Sequence, residues 1–140
     1  MDRVKIVLPN KVLYQTELKI ASSDINYGAH LANDKVLAKC SDLRLEFLMQ
    51  HQLNEIEVGG CGIIMLDASI QFKAEGKFGD VLISNLYVDD ITKKSFKFKY
   101  SFVRKSDEKT IALVQTSMMF FDYKTRKIAT APDSFLAILK

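Results

Sequence analysis

From Cys61 to Tyr123 the chain reads as strand after strand, and only one other segment is long enough to cover the sheet they would form. The run "SFKFKYSFVRK" alternates strictly, with Phe96, Phe98, Tyr100 and Phe102 opposite Lys97 and Lys99, the period of a strand with one buried face. "CGIIMLDASIQFKA" and "DVLISNLYVDD" precede it and "TIALVQTSMMFFDY" follows, with "ITKK" and "SDEK" as turns. In the first of these, Ile64, Leu66, Ala68, Ile70 and Phe72 are expected to share an apolar face, with Met65, Asp67, Ser69, Gln71 and Lys73 on the other. An earlier strand is expected over Val12 to Ile20. Consecutive hairpins cannot hide a sheet face by themselves. The cover is a helix expected from about Asn33 to His51, where Val36, Leu37, Cys40, Leu43, Phe47 and Leu48 fall on one side at helical spacing. A short last helix is expected within Ala131–Lys140, with Pro132 early in it. The expected architecture is α+β: a curved antiparallel sheet wrapped around one long central helix. It forms one domain over residues 1–140, and its outer face is left for a partner chain.

The composition fits this. At 140 residues the chain can bury a core without metal or disulfide staples. Its net charge of +3 is too small to indicate nucleic acid. Two cysteines make no disulfide framework, so free thiols in a reducing compartment are expected. No CxxC or HExxH spacing suggests a metal site. "MDRVKIVLPNKV" has no unbroken apolar stretch and contains Pro9, so no signal peptide is expected. No apolar run is long enough to span a bilayer. The expected setting is cytoplasmic, without membrane or nucleic-acid partners.

The polar residues gather just before the long helix, in "SSDINYGAHLAN". Backbone N–H groups at a helix start lack intrahelical partners and carry partial positive charge, which suits them to hold a developing oxyanion. Gly28 lets the chain approach a ligand closely, and a nearby carboxylate can activate water or act as nucleophile. Each member also has a plainer role. His30 suits a loop histidine bonded to backbone, Asn33 a helix cap and Asp34 a complement to the dipole. Asp24 fits an Asx turn, Asn26 a turn conformation and Tyr27 a contact with a neighbouring chain. Asp67 interrupts an apolar strand and sits either at a solvent edge or against a pocket that Ser69 and Gln71 would continue. Lys93, Lys94, Lys97, Lys99 and Arg104 form either a solvated face or a seat for ligand phosphates.

"DINYGAHLAN" resembles the D-x-D-x-x-G-H-V-N-N motif of hotdog-fold acyl-CoA and acyl-carrier thioesterases of the 4-hydroxybenzoyl-CoA thioesterase-like group. Asp24 matches the first aspartate, His30 the histidine and Asn33 the final asparagine. Arg44 falls where the family often carries an arginine on the helix. "AEGKFGDVL" is similar to the family's Gly-Asp turn, at Gly79 and Asp80, and "KIATAPDSFLAIL" to its closing segment. The resemblance runs through nearly the whole chain. It implies a hotdog fold and hydrolysis of an acyl-CoA or other acyl thioester to free acid and thiol. It also implies a homodimer or tetramer, and no cofactor beyond the coenzyme A of the substrate.

Three positions depart from the motif. The family's second aspartate is Asn26, and an amide is neither a carboxylate nucleophile nor a general base. The glycine before the histidine is Ala29, and the tyrosine that follows on the helix is Val36. On the hydrolytic reading, Asp34 or Asp67 replaces the missing carboxylate while Asn26 or His30 orients the thioester or water. Asp24, Tyr27, Gly28, Asn33 and Ser69 then contact substrate. On the alternative reading the chain binds acyl thioesters without turning them over. A dehydratase ranks below both, because His30 lacks the surrounding motif of that class.

Overall fold

The alternating run at 95–105 lies inside the sheet. The computed structural model describes all residues from 1 to 140. It contains β1 (Tyr14–Lys19), α1 (Asn33–Gln50), β2 (Gly62–Phe72), β3 (Val81–Asp89), β4 (Ser95–Arg104), β5 (Thr110–Asp122), the two-residue β6 (Lys127–Ile128) and α2 (Asp133–Leu139). The strands pair antiparallel in the order β1-β3-β4-β5-β2, with β6 added to the end of β5. Phe96, Phe98, Tyr100 and Phe102 all turn inward and are fully buried. Against them α1 places Val36, Cys40, Leu43, Phe47 and Leu48. Phe47 meets Phe98 edge-on, ring centroids 6.3 Å apart, a geometry aromatic quadrupoles favour. At the far end Phe135 of α2 closes on Phe96 and Phe120, at 6.0 and 5.8 Å. This is the hotdog arrangement, a curved sheet around a central helix. No helix is long and apolar enough to cross a membrane.

The core also holds charge, all of it partnered. Arg44, 4% exposed, donates from Nε to Glu55 Oε1 at 2.8 Å, from Nη1 to Tyr100 Oη at 3.1 Å and from Nη2 to Ser41 Oγ at 3.1 Å. A guanidinium only donates, so the Tyr100 hydroxyl turns its own hydrogen to Thr116 Oγ1, 2.7 Å away. Burial pushes the Tyr100 phenol up to about 12.

The single apolar face expected along the second strand does not form. The register slips between Met65 and Asp67, leaving Leu66 in a bulge. Ile63 and Met65 pair with Phe120 and Met118, whereas beyond the bulge Ala68, Ile70 and Phe72 pair with Thr116, Val114 and Ala112. The extra residue flips the parity. Odd positions before it and even positions after it therefore face the helix, and Ile64 and Leu66 leave that face. Asp67 pairs with Ser117 and Ser69 with Gln115, both on the side away from α1. β2 is also an end of the sheet, with Met65, Leu66 and Phe72 exposed.

The outer face, expected to be left for a partner chain, is covered in part by the chain itself. Residues before β1 cross it as an arm. Ile6 is buried there, its N–H directed to Gln71 Oε1 on β2 at 3.3 Å. Lys99 of β4 donates to the Val7 carbonyl at 2.7 Å and to Asp89 Oδ2 at 2.9 Å. Lys99 is thereby 7% exposed, neither a solvated lysine nor a phosphate seat. Buried Asn85, Ser101 and Tyr87 form a polar cluster on the same face, and the exposed Gln15 donates to Asn85 Oδ1 at its edge. Deleting residues 1–8 removes the burial of one isoleucine and a charge-assisted hydrogen bond, together about 3 kcal/mol. Urea unfolding is expected to record a loss of that size, with the far-ultraviolet circular dichroism unchanged.

Candidate functional site

The loop before α1 is fixed by its own first aspartate. Asp24 Oδ2 accepts from the Ala21 N–H at 2.7 Å and from Lys39 Nζ at 2.9 Å. Lys39, on the second turn of α1 and 6% exposed, also reaches the Lys19 carbonyl at 3.3 Å. Burial works to raise the Asp24 carboxyl pKa, but the Ala21 N–H and the Lys39 ammonium outweigh it and hold the group below its ordinary range. Asp24, expected against substrate, is committed to joining the loop to the helix.

Asn26, Gly28 and His30 come together beyond this anchor. Asn26 Oδ1 accepts from the Gly28 N–H at 3.0 Å, and the Asn26 N–H donates to the His30 carbonyl at 3.0 Å. A Cβ on Gly28 would lie 2.8 Å from His30 Nε2 and 3.3 Å from Asn26 Oδ1. A side chain here would push the imidazole above it aside, while the backbone angles of Gly28 do not themselves call for glycine. The left-handed residue is its neighbour, Ala29, at φ 62°. The resembling motif has glycine at that place, where a Cβ is strained. Tyr27 points wholly into solvent.

The expected cap on α1 is absent. Ala32 occupies the N-cap position with no side-chain bond, and Asn33 is the first helical residue. Its amide is therefore free to face a cavity of about 260 Å³ that opens at the helix start. The N–H groups of Asn33 and Asp34, as at any helix start, have no intrahelical acceptor. Leu31, Val36, Ile111 and Ala112 give the cavity apolar walls, and His30 and Asn33 its polar mouth. The far wall is Phe72 to Gly76, stitched to the loop by the Leu31 N–H on the Gly76 carbonyl at 2.7 Å and by pairing of His30 with Lys77. Gly76 has no room for a side chain, since a Cβ would meet Ile20 Cδ1 at 2.6 Å. Gly79, at φ +88°, turns the chain into β3. Asp80 holds that turn through the Lys77 N–H at 2.9 Å and Arg104 at 3.3 Å.

Of the residues singled out by sequence, His30 and Asn33 line the cavity, and Asn26 and Gly28 support His30. Asp34 is exposed beside the cavity without lining it. Asp67 lies in a separate depression with Ser117 and Lys97, and Ser69 shares its outward face. Sequence reasoning missed Lys73, Glu75 and Gly76. Next to the cavity, and sharing Lys73 and Glu75 with it, is a charged cleft that includes Lys77, Arg104, Asp107 and Lys109. Arg104 is tied to Asp80 and Asp107, whereas Lys73, Lys77 and Lys109 are exposed and form no ion pair. Both cysteines are buried and unpaired. Burial raises the pKa of each thiol, which disfavours the nucleophilic thiolate.

Residues 20–139 match the sequence profile of the thioesterase-like superfamily. The chain belongs to that superfamily. Solved structures repeat its fold. A 1,4-dihydroxy-2-naphthoyl-CoA thioesterase from Synechocystis superposes with a TM-score of 0.81 at 22% identity, over 90% of this chain and 94% of the other. A gentisyl-coenzyme A thioesterase gives 0.78 at 16% identity, over 91% and 100%. A Staphylococcus aureus protein solved in complex with CoA gives 0.79 at 18% identity, over 96% and 85%. No curated protein sequence matches the chain significantly. In this thioesterase-like chain the loop before α1 places His30 and Asn33 at the cavity.

Two outcomes follow for the loop. Asp24→Ala strands the Lys39 ammonium without its counter-charge and is expected to cost about 3 kcal/mol at pH 7. The folded Asp24 carboxyl lies below its unfolded value, so this contribution is complete above about pH 4 and fades as pH falls through the folded value. Urea melts of wild type and variant are expected to differ less at pH 3 than at pH 7. Gly28→Ala is expected to displace the His30 imidazole while the midpoint of unfolding moves little, a shift visible in the His30 ring signals by NMR.

Proposed function

We propose that this chain hydrolyses an acyl-CoA or related acyl thioester to the free acid and thiol. The observation that carries this reading is the uncapped start of α1 facing a cavity with apolar walls and a His30–Asn33 mouth. The thioester carbonyl lies against the N–H groups at the helix start, which stabilise the oxyanion as water adds. Asn33 and His30 orient carbonyl and water, Asn26 holds the loop through Gly28, and the acyl group occupies the apolar walls. The substrate's own CoA is the only cofactor, leaving as thiol. Its phosphates rest on Lys73, Lys77 and Lys109 in the adjoining cleft.

A second copy of the chain completes the assembly by pairing along the open edge of β2, covering Met65, Leu66 and Phe72. In that dimer Asp67 and Ser69 lie beside the join and Tyr27 has a neighbour to pack on. Acyl-CoA hydrolysis with a reducing cytoplasmic setting agrees with two unpaired thiols.

A second reading, binding without turnover, draws on Asn26, whose Oδ1 is engaged by the Gly28 N–H and which offers no carboxylate. Thiol release from short, medium, long and aromatic acyl-CoAs separates the two. Turnover on at least one is the expected result, whereas calorimetric binding with no turnover on any would favour the binder. Replacing Lys73, Lys77 and Lys109 together by Ala is expected to raise KM for acyl-CoA about tenfold or more. Turnover of the same acyl group on N-acetylcysteamine, which has no phosphates, is expected to stay unchanged.

A further inference from the structure

We infer that Glu75 is the carboxylate that activates water in this site, in place of the aspartate missing at Asn26; this rests on the thioester-hydrolase reading above. Among the residues lining the cavity at the start of α1, Glu75 is the one acid; it is exposed, and His30, Asn33 and Lys73 are the other polar members of the lining.

The other nearby carboxylates are spent or point elsewhere. Asp24 is held by Lys39 and the Ala21 N–H. Asp80 is held by the Lys77 N–H and Arg104, and Asp107 by Arg104 and the Lys109 N–H. Asp34 stands outside the cavity, and Asp67 sits across the sheet in a different depression. The Glu75 carboxylate accepts no hydrogen bond and joins no ion pair, although the chain around it is fixed on every side. The Lys73 and Ala74 N–H groups donate to the Ile111 carbonyl at 2.9 and 3.2 Å. Arg104 Nη1 donates to the Glu75 carbonyl at 2.9 Å, and the Gly76 carbonyl accepts from Leu31 at 2.7 Å. The backbone at Glu75 is thus held in place, while its exposed side chain is free to turn to a water at the cavity and accept a proton from it.

The Glu75 carboxylate takes one proton from a water whose oxygen adds to the thioester carbon, and the carbonyl oxygen becomes an oxyanion at the helix start. Collapse of the tetrahedral intermediate breaks the C–S bond. The departing thiolate takes the proton from Glu75, which returns the carboxylate and releases acid and thiol.

The test is thiol release by the purified full-length protein and its Glu75→Gln, Glu75→Asp and Glu75→Ala variants, on the acyl-CoA that wild type turns over best. Glu75→Gln is expected to lower kcat about a hundredfold or more, with the thermal midpoint and calorimetric affinity for that acyl-CoA retained. Glu75→Asp is expected to keep part of the rate, and formate to restore part of it to Glu75→Ala, a recovery that a structural role would not show. A Glu75→Gln enzyme within threefold of wild type, or one changed in KM alone, overturns the role of Glu75 and leaves the hydrolase reading standing. A wild-type protein that releases no thiol from any acyl-CoA overturns both.

Discussion

The burial of one flank of α1 under the aromatic row of β4 governs the rest of the molecule. Phe47 and Leu43 cannot be covered by any other element, so the sheet must curve around them. That curvature carries β1 and the β2–β3 turn to the same end of the helix. The loop that enters α1 is consequently pressed between two pieces of the sheet, fastened to the turn through Leu31 and Gly76. A cavity at the helix start is the geometric remainder. It is lined by apolar residues where helix and sheet meet, by His30 and Asn33 at its mouth, and by Lys73 and Glu75 on the turn opposite.

The same burial explains why charge is admitted to the interior. Arg44 and Lys39 lie on faces of α1 that the sheet and loop enclose, and each reaches carboxylate or carbonyl oxygens. No buried side-chain nitrogen or oxygen lacks a partner. Such pairs add little net stability over apolar substitutes, but they penalise wrong registers heavily. A helix turned about its axis would bury a cation without a counter-charge. Lys39 and Arg44 thus fix the rotation of α1, and with it the direction in which Asn33 faces.

Most of the architecture was legible from periodicity, because the alternation in β4 and the stripe on α1 are long and unbroken. Legibility failed where a single residue changes the count or where the contact is distant in sequence. The bulge at Leu66 inverts parity in β2, and nothing in "IIMLDAS" marks it. The arm across the outer face joins Ile6 to Gln71 and Val7 to Lys99, pairings that no local pattern encodes. Asn33 resembled a cap because caps and first-turn residues share chemistry; the backbone placed Ala32 there instead. In the loop, His30, Asn33 and Gly28 were readable from their polar clustering. Glu75 was not, because it reaches the cavity only through the folding of a turn more than forty residues away.

That arm has a bearing on how the chain acquires its structure. Its first residues find their sites on strands that are synthesised 65 and 92 positions later. The outer face therefore stays open while β2, β3 and β4 assemble, and contacts so far apart in sequence form slowly. Closure of the arm is the step that removes the Lys99 ammonium from solvent. Until the arm docks, the outer face of the sheet stands open to a neighbouring molecule.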